Sequence, residues 1–160
     1  MRLCDIRGGV IRSYLAERAV NDVRAKIKLH SQGEIPSWVD IDTLKRLRRA
    51  KGLAPGYASP HYLLAKSYEQ MALAQREQEG QAIFLDLAAR EYKSAIKLEP
   101  TSAWYHLGLG WVYLVLSERD LSMKASARRE FDTAARLAPK NPDIQDYIKE
   151  INRSWAEQPW

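Results

Sequence analysis

The residue types that could carry chemistry in this chain are few, and their spacing points away from catalysis. Three histidines occur, His30, His61 and His106, and the last two stand at the same place in two similar phrases. There is no His-Glu-x-x-His pair of metal ligands, no glycine-rich phosphate loop and no nucleophile elbow. The one cysteine, Cys4, excludes an internal disulfide and a multi-cysteine metal site. The acidic pairs Asp40/Asp42 and Asp143/Asp146 fall near expected helix starts, where carboxylates favour the positive end of the helix dipole. The residues therefore assign no catalytic group, no metal site and no cofactor. They point to binding through two other sets. One is an aromatic and aliphatic set, Trp104, Leu107, Trp111 and Leu114. The other is a basic run, Lys45, Arg46, Arg48, Arg49 and Lys51.

These residues sit on elements that repeat. The phrases Ala50-x4-Pro55, Ala95-x4-Pro100 and Ala134-x4-Pro139 share one spacing. Ahead of the last two lie Ala88 with Tyr92, and Ala127 with Phe131. After Pro55 comes a second phrase, His61, Leu64, Ala65 and Tyr68. After Pro100 the same phrase reads His106, Leu109, Gly110 and Tyr113. Small residues at Ala65, Gly110, Ala88 and Ala127 let two helices approach closely. The prolines read as helix stops, because a proline cannot continue the hydrogen-bond ladder. Ser59-Pro60 and Asn141-Pro142 read as an N-cap followed by a first-turn proline.

This pattern resembles the tetratricopeptide repeat: W-x2-L-G-x2-Y, then A-x3-F, then A and P. His61 and His106 stand at the usual Trp position, and Ala65 at the usual Gly. The resemblance covers about residues 42–157. It implies an all-α fold, a right-handed superhelix of antiparallel helix hairpins, with a capping helix at the C-terminal end. The family period is about 34 residues, and the prolines here are farther apart. The additional residues fall inside each hairpin, so both helices should run longer, with tips near 75–81 and 117–126. The last helix, expected over 142–157, carries Ile144, Tyr147, Ile148, Ile151 and Trp155 on one stripe. That stripe suits a cap with one buried face and one wet face.

The N-terminal third is expected to form a degenerate hairpin over 1–56, followed by two repeats and a cap over 57–160. A helix over 11–29 should bury Tyr14, Leu15, Ala19, Val23 and Ile27. Gln32–Trp38 should break it, and a second helix from Asp40 should stop at Gly52. Charge is uneven: residues 1–58 carry twelve Lys/Arg against six Asp/Glu, whereas the remainder is nearly neutral, for a net +5. No run reaches the ~18 apolar residues of a membrane helix, and no signal-peptide pattern is visible at the start.

In tetratricopeptide arrays the first helix of each repeat turns its outer face toward a concave groove. The resemblance therefore implies a protein or peptide partner held by Tyr62, Lys66 and Glu69 on one wall and by Trp104, Leu107, Trp111 and Leu114 on the floor. Aromatic residues are the usual anchors of such contacts. The same surface could bind a second copy of the chain, or be covered by the chain's own N-terminal hairpin or its Trp155–Trp160 end. The basic run suits a solvated face, an anionic membrane surface or an acidic partner. Nucleic acid is disfavoured, because no base-stacking aromatic signature accompanies the charge. The phrase Tyr62–Glu69 and the long hairpins also resemble the small tetratricopeptide proteins of bacterial exopolysaccharide biosynthesis clusters. That likeness leaves the compartment open between the cytoplasm and the inner-membrane periphery or periplasm.

Overall fold

The computed structural model describes residues 3–30 and 39–157, with side chains for 8–27 and 39–156. The expected break at Gln32–Trp38, the side chains of Cys4 and His30 and the last three residues lie outside them. Seven helices and no strand occur among the described residues: α1 (Leu3–His30), α2 (Ile41–Leu53), α3 (Ala58–Ala74), α4 (Gln78–Leu98), α5 (Ala103–Leu116), α6 (Ser122–Leu137) and α7 (Pro142–Glu157).

Local chemistry sets most of these boundaries. Asp40 caps α2, its carboxylate accepting the Thr43 N–H at 2.6 Å. Asp42 sits in the first turn of α2 and Lys51 in the last, as the helix dipole favours. Pro55, Pro100 and Pro139 each lie two residues beyond the end of α2, α4 and α6, where no intrahelical N–H is required. Asn141 caps α7 through Oδ1 to the Ile144 N–H at 3.3 Å, and Pro142 is its first residue. Three expected boundaries differ. The first helix, expected from Ile11, already begins at Leu3. Gly52 does not stop α2, which runs to Leu53 because the Ala54 N–H still bonds the Ala50 carbonyl. Ser59 does not cap α3, which starts at Ala58; the Ser59 hydroxyl instead accepts from Arg24 at 3.0 Å.

The chain packs as two compact units dividing between Leu98 and Glu99. The hairpin expected over 1–56 therefore shares a unit with α3 and α4. In the first unit, Ala16, Val20 and Val23 of α1 meet Leu47 and Ala50 of α2, and α3 and α4 interlock through Leu64, Ala65, Tyr68, Leu85, Ala88 and Tyr92. The buried stripe of α1 is rotated from the expected one: Tyr14 and Leu15 face solvent, and Ala16 and Val20 lie inside. In a helix so rich in apolar residues, several stripes satisfy the same period, and packing on α2 selects one.

In the second unit, Ala103, Ala127, Phe131, Ala134, Ile144 and Ile148 form a core. Gly110 is required there. A Cβ at this position would stand 2.7 Å from the Phe131 ring, closer than side-chain atoms approach. The amphipathic α7 lays Ile144 and Ile148 on this core. Trp155 packs its ring 6.0 Å from Phe131, and the Arg128 guanidinium lies over the Trp155 ring, 5.9 Å from its centroid. The turns inside the two hairpins are 75–77 and 117–121, between helices of 17 and 21 residues and of 14 and 16 residues.

Candidate partner-binding surfaces

The outer face of α3 is built around a buried carboxylate. Glu69 is only 3% exposed and takes two bonds, from Lys66 Nζ at 2.5 Å and from the Tyr92 hydroxyl at 2.5 Å. Burial pushes the Glu69 carboxyl above its ordinary range, against the opposing pull of Lys66 and Tyr92. Burial pulls the Lys66 ammonium down, but the Glu69 charge and hydrogen bond outweigh it and leave Lys66 raised. Tyr62 stacks at a tilt on Tyr92, ring centroids 6.1 Å apart, and burial raises its hydroxyl. Of the three residues expected on this wall, Lys66 and Tyr62 are partly accessible, whereas Glu69 is a positioning residue that holds the Lys66 ammonium at the surface.

The outer face of α5 is apolar. Trp104 is 44% exposed and Trp111 is half-buried. Leu107 and Leu114, expected beside them, are partly buried against the core that α6 and α7 complete. The chain's own terminal helix thus covers the aliphatic part of this face, and Trp104 remains outside.

The basic run is less free than its sequence suggests. Arg46 pairs with Asp42 at 2.6 Å and reaches Asp22 at 3.8 Å. Arg48 donates to the Tyr68 hydroxyl at 3.0 Å, and Lys51 donates to Glu91 at 2.8 Å. Lys45 and Arg49 are exposed.

Two glutamates unremarked in the sequence complete a repeated device. His61 Nδ1 lies 2.6 Å from Glu91 Oε2, and His106 Nδ1 lies 2.7 Å from Glu130 Oε2. In each hairpin the histidine at the usual Trp position of the first helix is tied to a glutamate on the second. That glutamate stands one residue before the aromatic, Tyr92 or Phe131. The shared offset, Glu91-Tyr92 and Glu130-Phe131, is the signal that could have revealed it. The other His106 nitrogen meets the Pro100 carbonyl at 3.1 Å, and Glu91 also holds Lys51. Both histidines are thus engaged as ties between helices, and no group of three metal-ligating side chains occurs among the described residues.

The first unit also contains a cleft of about 700 Å³ between α1 and the α2–α3 turn, lined by Arg12, Ser13, Glu17, Pro55 and Tyr57 among others. No described helix is long and apolar enough to cross a membrane.

No protein-family model matches the chain, and no curated protein matches it. Among solved structures the chain is similar to a thermophilic tetratricopeptide-repeat protein of Thermus thermophilus. The TM-score is 0.70 at 23% identity, over 88% of this chain and 65% of the other, so this chain matches just under two thirds of that protein's length. Helical hairpins closed by Ala65, Gly110, Tyr92 and Phe131, together with this likeness over most of the chain, show a fold of the tetratricopeptide type, an α-solenoid of helix pairs.

Proposed function

We propose that this chain is a non-enzymatic interaction scaffold that holds a segment of a partner protein against the outer face of α5. The observation that carries the reading is Trp104, a large aromatic left 44% exposed on α5, beside the half-buried Trp111. Aromatic side chains in such positions supply much of the energy of protein contacts, because they bury a large apolar area with few rotatable bonds. In the other unit, the outer face of α3 is a separate candidate contact, where Lys66 and Tyr62 offer a cation and a polar edge to an acidic or polar residue. Leu107 and Leu114 support the Trp111 side of the α5 face from beneath and are given no direct partner contact.

The test compares affinity capture from the source cell with the wild-type chain and with Trp104→Glu. A protein retained by the wild type and lost from the variant, with helical circular dichroism unchanged, supports the reading. Equal retention by both removes it. A second copy of the chain would fit the same face. Light scattering that gives a concentration-independent dimer, broken by Trp104→Glu, would replace a foreign partner with self-association.

The finer assignment, to bacterial exopolysaccharide biosynthesis, rests on the phrase Tyr62–Glu69 and the lengthened hairpins. Deletion of the gene should then reduce secreted polymer, and undiminished polymer would remove that assignment.

A further inference from the structure

The two histidine ties are alike in sequence and differ in what they demand of the ring. His61 meets one acceptor: Nδ1 lies 2.6 Å from Glu91 Oε2, and its other nitrogen makes no hydrogen bond among the described residues. A neutral ring with its proton on Nδ1 satisfies that arrangement. Glu91 already has a cation, Lys51 at 2.8 Å. His106 meets two acceptors: Nδ1 lies 2.7 Å from Glu130 Oε2, and Nε2 lies 3.1 Å from the Pro100 carbonyl oxygen. A backbone carbonyl only accepts, and so does an ionised carboxylate. A neutral imidazole carries one N–H, so it would serve one of them and turn a lone pair toward the other. Both bonds form when both ring nitrogens carry protons. The additional proton sits on the ring and not on Glu130, because imidazole is a stronger base than a carboxylate by about two pH units.

The setting gives the ring no substitute for either bond. His106 is 9% exposed, so water does not readily take the place of a lost partner. Among the described residues Glu130 of α6 is the one charged group in ion-pair range of it. Beyond Tyr105 and Tyr113, α5 carries no other ionisable group, and α7, which also packs on α5, brings none into range. The start of α5 depends on such ties. Its N-cap, Ser102, makes no side-chain bond, so the first turn is held from Pro100 by the His106 ring and from Glu99 by the Tyr105 hydroxyl at 2.8 Å. His106 thus joins three parts of the second unit: α5, α6 and the turn at Pro100. Trp104 lies in the chain between Pro100 and His106.

From this geometry we propose that His106 is a pH-sensitive tie, whose doubly protonated ring holds the first turn of α5, and with it Trp104, to α6 and to the turn at Pro100. In the protonated form the ring donates to both acceptors. When the proton leaves, the remaining N–H stays with the carboxylate, the stronger acceptor, and the Pro100 carbonyl is released. The turn ahead of Trp104 then loosens, and partner capture by that side chain weakens. Folding favours the protonated ring. The stabilisation is therefore complete below the unfolded-state histidine value of about 6.5 and is lost as pH rises above it. The α3/α4 hairpin has no such dependence at His61, where one N–H is enough. The consequence for capture rests on the Trp104 reading, whereas the tie itself does not.

The experiment is a nitrogen-15 NMR titration of the histidine side chains in the full chain, from about pH 5 to about pH 9. His106 should keep protons on both ring nitrogens to a higher pH than His61 and His30. A His106 ring that titrates with the other two, or before them, overturns the proposal. Glu130→Gln should bring the His106 titration down toward theirs, and an unmoved titration counts against the tie. Urea denaturation supplies a second readout. From about pH 6 to about pH 9 the unfolding constant of the wild type should rise at least about tenfold relative to that of His106→Gln, which does not titrate. His61→Gln should keep the wild-type drift, and no drift relative to His106→Gln overturns the tie. The NMR titration needs only the wild-type chain, so it decides the matter even if His106→Gln does not fold. A late His106 titration with partner capture unchanged over the same pH range would overturn the consequence for Trp104 and leave the tie standing.

Discussion

The α3/α4 and α5/α6 hairpins carry one signature and differ at a small number of positions with large consequences. Each ties a first-helix histidine to a second-helix glutamate, His61 to Glu91 and His106 to Glu130. In α3/α4 the close-approach residue is Ala65, and the aromatic of the second helix is Tyr92, whose hydroxyl reaches the buried Glu69. In α5/α6 these residues become Gly110 and Phe131. The ring lies against the bare backbone and joins the apolar cluster of Ala103, Ala127, Ile144 and Ile148. The outer faces follow suit, with Tyr62 and Lys66 on α3 and Trp104 and Trp111 on α5. A repeat signature thus preserves how two helices meet, while neighbouring positions decide what the pair offers to solvent.

The sharpest way to break the comparison is Phe131→Ala. The ring anchors Tyr147 and Trp155, so the change should cost about 3–5 kcal/mol. Urea denaturation would show this, and a loss below about 1 kcal/mol would refute the packing described. Next comes Tyr92→Phe, which strips a bond from the buried Glu69 and should cost about 1–3 kcal/mol in the same assay. Phe131 has no hydroxyl to lose, so α5/α6 has no counterpart to this sensitivity. Gly110→Ala should cost about 1 kcal/mol net, overpacking against Phe131 outweighing the better helix preference of alanine. Phe131→Leu should relieve part of that loss in the double variant, and a stabilising Gly110→Ala would show that the ring gives way.

A smaller effect distinguishes the polar hairpin by pH. Burial raises the folded-state pKa of Glu69 above its ordinary 4.5. Its contribution to stability is therefore complete below about pH 4.5 and is lost as pH rises through the raised folded value. Glu69→Gln does not titrate, so the stability difference should move in favour of the variant between pH 4 and pH 7. No such drift would mean that Glu69 is not burdened by burial. The smallest effect on stability is Trp104→Ala, about 0.5 kcal/mol or less because the side chain is exposed, while partner capture falls.

Much of this was legible in the residues. The prolines, the small-residue positions and the aromatic positions fall in one spacing, and each answers a local requirement: a stop, a close approach or a filled gap. The caps at Asp40 and Asn141 follow from side-chain reach alone. What the spacing left unread was which of several apolar stripes is turned inward. On α1 the expected buried residues Tyr14 and Leu15 face outward, because packing on α2 chose Ala16, Val20 and Val23. On α5, Leu107 and Leu114 share the outer stripe with Trp104, and α7 covers them. Glu69 looked like a surface charge until Tyr92, 23 residues later, came to stand over it.

The sequence by itself determined the helices, most of their ends and the pairing within each hairpin, because those depend on neighbours within a few turns and on the volume at one or two contact positions. Tertiary structure alone decided which charges are neutralised and which apolar faces remain open. The partners of Arg48, Lys51 and His61, and the Tyr92 that bonds Glu69, lie 20 to 40 residues away. Exposure depends on the arrangement of whole helices and is not coded in the period of any one of them.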